Sequence, residues 1–147
     1  MLHTIPYFFT VTAGNRVTSA SNLIAYPYII QEIRVKYALG HAGAVQHSFF
    51  VSDDKEIPTT GPPTGLDILG QYGPVDYVVG DDDVAIIKEN TIIDRMGTWF
   101  KVHAYNTDPF DHTVNVIITI DDMRIHPAFR HLADLLKEFF ERGAAGT

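Results

Sequence analysis

The sequence predicts a mainly β fold, an antiparallel β-sandwich of jelly-roll or Greek-key type, with one C-terminal amphipathic α-helix. Three observations predict it. Over most of residues 1–122 apolar side chains alternate with polar ones, the period of a strand with one buried face. Segments rich in Gly and Pro cut that alternation into roughly eight short runs, the spacing of an all-β domain. After Asp122 the apolar period lengthens to that of a helix. The chain therefore divides into a β-sandwich domain, residues 1–122, and a helix with a short tail, residues 123–147. A closed barrel is the alternative arrangement of the same strands.

Ile5, Tyr7, Phe9 and Val11 form the first alternating run, and Gly14-Asn15 supplies turn chemistry before a weaker run at Val17, Ser19, Ser21 and Leu23. Tyr28 to Ala38 is the clearest strand. Ile29, Ile33, Val35 and Tyr37 face one way and Glu32, Arg34 and Lys36 the other, as expected in an antiparallel sheet with one wet face. Gly40–Gly43 turns the chain into Gln46–Ser52. Asp53 to Gly73 is then a long loop, because its prolines and glycines exclude a helix or a central strand; a short helical turn at Leu66–Leu69 fits inside it. Val75–Val79, Val84–Lys88 and Thr91–Asp94 follow as short strands. Trp99–Asn106 and His112–Asp121 read as a hairpin closed by residues 107–111, with Asn106 opposite His112. That register puts Phe100, Val102 and Ala104 with Val114, Val116 and Ile118 on a buried face, and leaves Lys101, His103 and Asn115 outside.

The helix is signalled by His126 at the N-cap position, Pro127 at the first helical position and Gly143 past the end. Phe129, Leu132, Leu136, Phe139 and Phe140 lie on one stripe, so this face requires an apolar partner, either the chain's own sheet or another subunit. Its polar face mixes both signs of charge, unlike a membrane-surface helix.

Eighteen acidic residues against eleven basic ones leave a formal net charge of −7 over 147 residues. That balance argues against nucleic-acid and anionic-membrane partners. The absence of cysteine removes disulfides and thiol chemistry. No apolar run reaches the ~20 residues of a membrane helix, and no signal peptide is indicated, so a soluble domain is expected. The four serines lie in no nucleophile elbow, and no glycine segment has the pattern of a phosphate loop. No catalytic residue, cofactor or metal ligand is therefore assigned. Two surface features remain as candidates. Asp81, Asp82 and Asp83 are acidic turn residues able to offer oxygens to calcium. Trp99, His103 and Tyr105 share the outward face of their strand, a ligand platform for a sugar-binding sandwich.

The stretch from Gly97 to Asp121, reading GTWFKVHAYNTDPFDHTVNVIITID, resembles the closing hairpin of small jelly-roll proteins in virus particles. The strands before it and the Pro-rich loop are similar in style to accessory or decoration proteins of tailed phages. The resemblance implies a non-enzymatic role in an oligomeric shell, on a virion surface, with no catalytic residues to carry over. Together these readings give a non-catalytic assembly protein that self-associates, with a trimer favoured over a loose pair and the helix stripe as its interface. The first alternative is a carbohydrate-binding β-sandwich module, calcium-dependent if the three aspartates hold a cation. A weaker alternative is a cupin-like enzyme, which three converging histidines would favour.

Overall fold

The computed structural model describes residues 1–124 and 134–139. Eight strands form two four-stranded antiparallel sheets packed as a sandwich. They are β1 (Leu2–Val11), β2 (Arg16–Ala20), β3 (Tyr28–Lys36), β4 (Val45–Ser52), β5 (Leu66–Asp67), β6 (Val84–Ile93), β7 (Trp99–Asn106) and β8 (His112–Asp122). Sheet A has the order β1-β8-β3-β6 and sheet B the order β2-β7-β4-β5. Each strand pairs with the one equally far from the other end of the series: β1 with β8, β2 with β7, β3 with β6, and β4 with β5. The strands thus follow one long hairpin that is rolled over on itself, which is the jelly roll.

This topology corrects the expected closing hairpin. β7 lies between β2 and β4, whereas β8 lies between β1 and β3, so residues 107–111 cross from one sheet to the other. The expected faces survive because strand periodicity sets which way a side chain points and is silent about the partner strand. Phe100, Val102 and Ala104 from sheet B meet Val114, Val116 and Ile118 from sheet A in the core, all fully buried. Tyr28, Ile30, Ile33, Val35, Phe49 and Val51 complete the central layers. Polar ties close the sandwich. The Tyr7 hydroxyl on β1 donates to the Phe100 carbonyl on β7 at 2.7 Å. The buried Asn106 amide donates to the carbonyls of Val11 (3.1 Å) and Phe110 (2.7 Å) and accepts from the Asp108 N–H (2.9 Å).

Other expectations shift in detail. Val84–Lys88 and Thr91–Asp94 are one strand, β6, continuous past a bulge that faces the Ile30/Glu32 step of β3. Val75–Val79 forms a single bridge, Val78 to His47, because Pro74 and Gly80 leave too little chain to pair further. The helical turn in the long loop is a 3-10 turn at Leu69–Tyr72, and Leu66 belongs to β5. Of the C-terminal helix, residues 134–139 are described as helical; the expected cap His126 and the stripe residues Phe129, Leu132 and Phe140 lie outside the described residues.

Val116→Asp will unfold the domain, since an unpaired buried carboxylate costs several kcal/mol. Ile117→Asp, one residue along and facing out, will leave it folded. Thermal melts followed by circular dichroism read the difference, and the opposite ranking would mean that β8 is misregistered.

Candidate functional site

The outer faces of the two sheets differ. On sheet B the outward rows are Arg16–Tyr105–Gln46, Thr18–His103–Ser48 and Ala20–Lys101–Phe50, with Trp99 beside Ser52. Over this face runs the long loop. Lys101 points outward as expected, yet its side chain is 0% exposed, because its ammonium donates to Asp54 Oδ1 (3.1 Å) and to the Glu56 carbonyl (2.7 Å) in the loop. This bond holds the Asp54 carboxyl below the usual carboxylate range. Arg95 clasps Asp53 with contacts of 2.8 and 2.7 Å. Gly65 brings the loop onto β4: its φ is 128°, and a Cβ there would stand 2.5 Å from the Val51 carbonyl oxygen.

His103, expected on the exposed face, is also buried by this roof. Its Nε2 lies 3.3 Å from an Arg16 guanidinium nitrogen and its Nδ1 lies 2.8 Å from the Thr18 hydroxyl. Arginine can only donate, so Nε2 accepts, the ring proton sits on Nδ1, and the imidazole is neutral. Burial, then the Arg16 charge, lowers its pKa to about 4, with Asp76 opposing. The Arg16 guanidinium carbon stands 4.0 Å from the centre of the Tyr105 ring. Beside these groups the roof leaves a pocket of about 270 Å³, lined also by Gln46, Ser48, Pro62, Asp76 and Tyr77. Burial first and the neighbouring Asp76 carboxylate second push Asp67 up to about 6. The expected platform is therefore not one exposed strip. Trp99 is half-buried, and six residues along β7 place it roughly 20 Å from Tyr105. Only His103 and Tyr105 line the pocket. The sequence reading missed Arg16, Gln46 and Asp76, which come from three remote segments.

The aspartates Asp81, Asp82 and Asp83 serve the turn before β6. Asp81 Oδ1 accepts from the Gly40 N–H at 3.0 Å, and the Asp83 carbonyl accepts from the Tyr37 N–H at 2.9 Å. Among the described residues no group of three or more His, Asp or Glu side chains is placed to hold a metal ion. His103 and His112, expected on paired strands, sit on different sheets. His112 instead joins His41 and His47 around Tyr37 at one end of the sandwich. The His41 ring is T-shaped to those of His112 (4.8 Å) and Tyr37 (6.0 Å), and His47 is T-shaped to Tyr37 (5.2 Å). The nitrogens of His41 and His47 and the Tyr37 hydroxyl are buried without a hydrogen-bond partner. Burial first, then the neighbouring histidine, lowers the pKa of His41 and brings that of His47 to about 4; the backbone at Thr113 and Val45 offsets only part.

On sheet A the outward rows are Pro6–Ile117–Arg34–Ile86 and Phe8–Asn115–Lys36–Val84. Nothing among the described loops roofs this face as the long loop roofs sheet B. Phe8 is 76% exposed, and Val84, Ile86, Ile92, Ile117 and Leu2 are all exposed. Glu32 sits among them, bonded to Lys88 at 2.6 Å and paired with Arg34 at 3.5 Å.

No protein-family model matches the sequence, and no curated protein matches it. Among solved structures the chain resembles that of the infectious bursal disease virus VP2 subviral particle, at 12% identity and a TM-score of 0.47 over 88% of this chain and 34% of that one. A structure of the same virus, Gx strain, gives 12%, 0.46, 88% and 34%. A structure of Bacillus endospore appendages, described as disulfide-linked pili, gives 18%, 0.43, 81% and 85%. The chain spans about a third of the length of the viral chains it matches. These are distant likenesses of fold. They reach virus and pilus structures, and they carry nothing specific to tailed phages. No described helix is long and apolar enough to cross a membrane.

A histidine buried neutral opposes acid. With a folded pKa near 4 against about 6.5 unfolded, His47 leaves the unfolded chain with more bound protons between those values, so stability falls as pH drops from 6.5 toward 4. The loss due to His47 alone is on the order of 3 kcal/mol. His47→Phe will flatten melting temperature against pH across that window; an unchanged slope would show that His47 is not buried neutral.

Proposed function

We propose that this protein is a non-catalytic assembly subunit that works by symmetric association with further copies of itself through the outer face of sheet A. One observation carries the reading. The sandwich covers the outer face of sheet B with its own loop, whereas among the described residues the outer face of sheet A exposes Phe8, Val84, Ile86 and Ile117 between Arg34, Lys36 and Asn115. Large apolar side chains exposed in number on one face and set among polar ones mark a contact surface. Glu32 pairs with both Arg34 and Lys88 in its midst, which offsets part of the positive charge on this face.

The helix is the second contact. Leu135 and Leu136 in its described part are about half exposed, at 49% and 50%. Burying the four sheet residues contributes on the order of 6–12 kcal/mol as an upper estimate, against an association cost of similar size. One contact alone is then marginal, which favours a closed ring such as a trimer using sheet and helix together. The net charge of −7 keeps free subunits soluble. The finer form of the proposal is a subunit decorating the surface of a virion or similar particle, supported by a rigid jelly roll with one face prepared for contact.

Light scattering on the intact protein, on Phe8→Glu/Ile86→Lys and on Leu136→Glu tests this. An oligomer is expected at tens of micromolar for the intact chain. The sheet variant will be a folded monomer, since both positions are exposed, and the helix variant will be shifted toward monomer. A monomeric intact protein, or a sheet variant that stays oligomeric, overturns the assignment of this face.

A further inference from the structure

The roof over sheet B is long, polar and pinned down, and that combination demands a reason. Residues 53–65 and 73–83 carry almost no regular structure, and irregular connections of such length are uncommon in compact domains unless they serve a site or are disordered. This one is tied at separate points. Lys101 holds Asp54 and Glu56, Arg95 holds Asp53, and Val78 exchanges backbone hydrogen bonds of 2.9 and 3.0 Å with His47. Burying the Lys101 ammonium is costly, and its bonds to the loop are what offset the cost. A roof fastened in this way does not pack flat. Pro62, Asp76 and Tyr77 of these segments border a half-open pocket of about 270 Å³ on the sheet.

The walls of that pocket define what it can take. Arg16 and Asp76 bring opposite charges, and His103 is neutral, so the lining carries no net charge. A phosphate or a cation would lack a matching field. Gln46 offers both a donor and an acceptor, Arg16 offers donors and Asp76 an acceptor, while Tyr77 adds ring surface and the Tyr105 ring backs the Arg16 guanidinium. Alternating donors and acceptors beside an aromatic face suit a ring that carries hydroxyls on its rim and C–H groups on its face. His103 spends both nitrogens on Thr18 and Arg16, so it positions the guanidinium and is not free to act as a base. The volume lies at the lower limit for small-molecule sites, enough for one ring and not for a chain.

We infer that the roofed pocket on sheet B is a binding site for a single neutral sugar unit, held by Gln46, Arg16 and Asp76 beside the Tyr77 ring. The site needs no metal and no second subunit. It faces away from the assembly surface on sheet A, and a self-associated particle would therefore display several copies at once, turning weak single-site binding into firm attachment.

The test is amide chemical-shift mapping of the intact protein titrated with millimolar glucose, galactose, mannose and N-acetylglucosamine, with inorganic phosphate and N-acetylneuraminic acid as charged comparisons. At least one neutral sugar will produce saturable shifts at Gln46, Asp76 and Tyr105. Asp76→Asn and Gln46→Ala will each weaken it about tenfold, the loss of one good hydrogen bond, with the melting temperature kept by at least one of them. No saturable shift from any neutral sugar, saturation by the charged ligands alone, or shifts confined to other residues would each overturn the assignment. Light scattering without sugar reads the assembly face separately, so the two readings fail independently.

Discussion

The placement of β8 between β1 and β3 is the constraint on which the remaining structure depends. β8 is central in sheet A and runs for eleven residues, and its inward residues Val114, Val116, Ile118 and Ile120 are essentially inaccessible. A slip by one residue would send all four to the outer face and bring in Asn115, Ile117, Thr119 and Asp121. The register on β1 fixes where Tyr7 meets the Phe100 carbonyl, and hence how sheet B sits on sheet A. The register on β3 fixes the bulge that lets β6 continue as one strand. Because these partners are far apart in sequence, their pairing requires closing long loops before any reward, which makes slow folding the expectation for this topology.

Once the sandwich closes, its two outer faces meet different fates. Sheet B acquires a roof at the cost of burying Lys101 and His103, both of which find partners. Sheet A has no such roof among the described residues and limits unwanted pairing at its edges instead. Pro6 interrupts the edge strand β1, where a missing N–H is tolerated, and Lys88 sits on the other edge strand, β6. The molecule thus discourages random edge pairing while leaving a face available for specific contact.

A third region carries no evident ligand chemistry but a pH dependence. Tyr37, His41 and His47 pack their rings edge to face where the 37–45 turn, the acidic turn before β6 and the start of β8 come together. The cluster holds together only while the imidazoles are neutral, which couples this end of the sandwich to pH.

The sequence by itself determined the kind of element and, for most strands, which side chains point inward; at β3 the bulge after Ile30 puts Ile30 inside and not Ile29. Alternation marked Phe100, Val102 and Ala104 and Val114, Val116 and Ile118 as core, and the period change marked the end of the β domain, because those signals are local. Strand partners were not legible, since a hairpin and a jelly-roll crossing place the same side chains inward. The burial of Lys101 and His103 was hidden for a related reason. They point outward, as their positions in the strand require, and only the return of a loop more than forty residues away in sequence covers them. The pocket assembles Arg16, Gln46, Asp76 and His103 from segments with no shared motif, and the histidine cluster joins three segments in the same way. Period sets orientation, but long-range chain closure decides what each outward face meets.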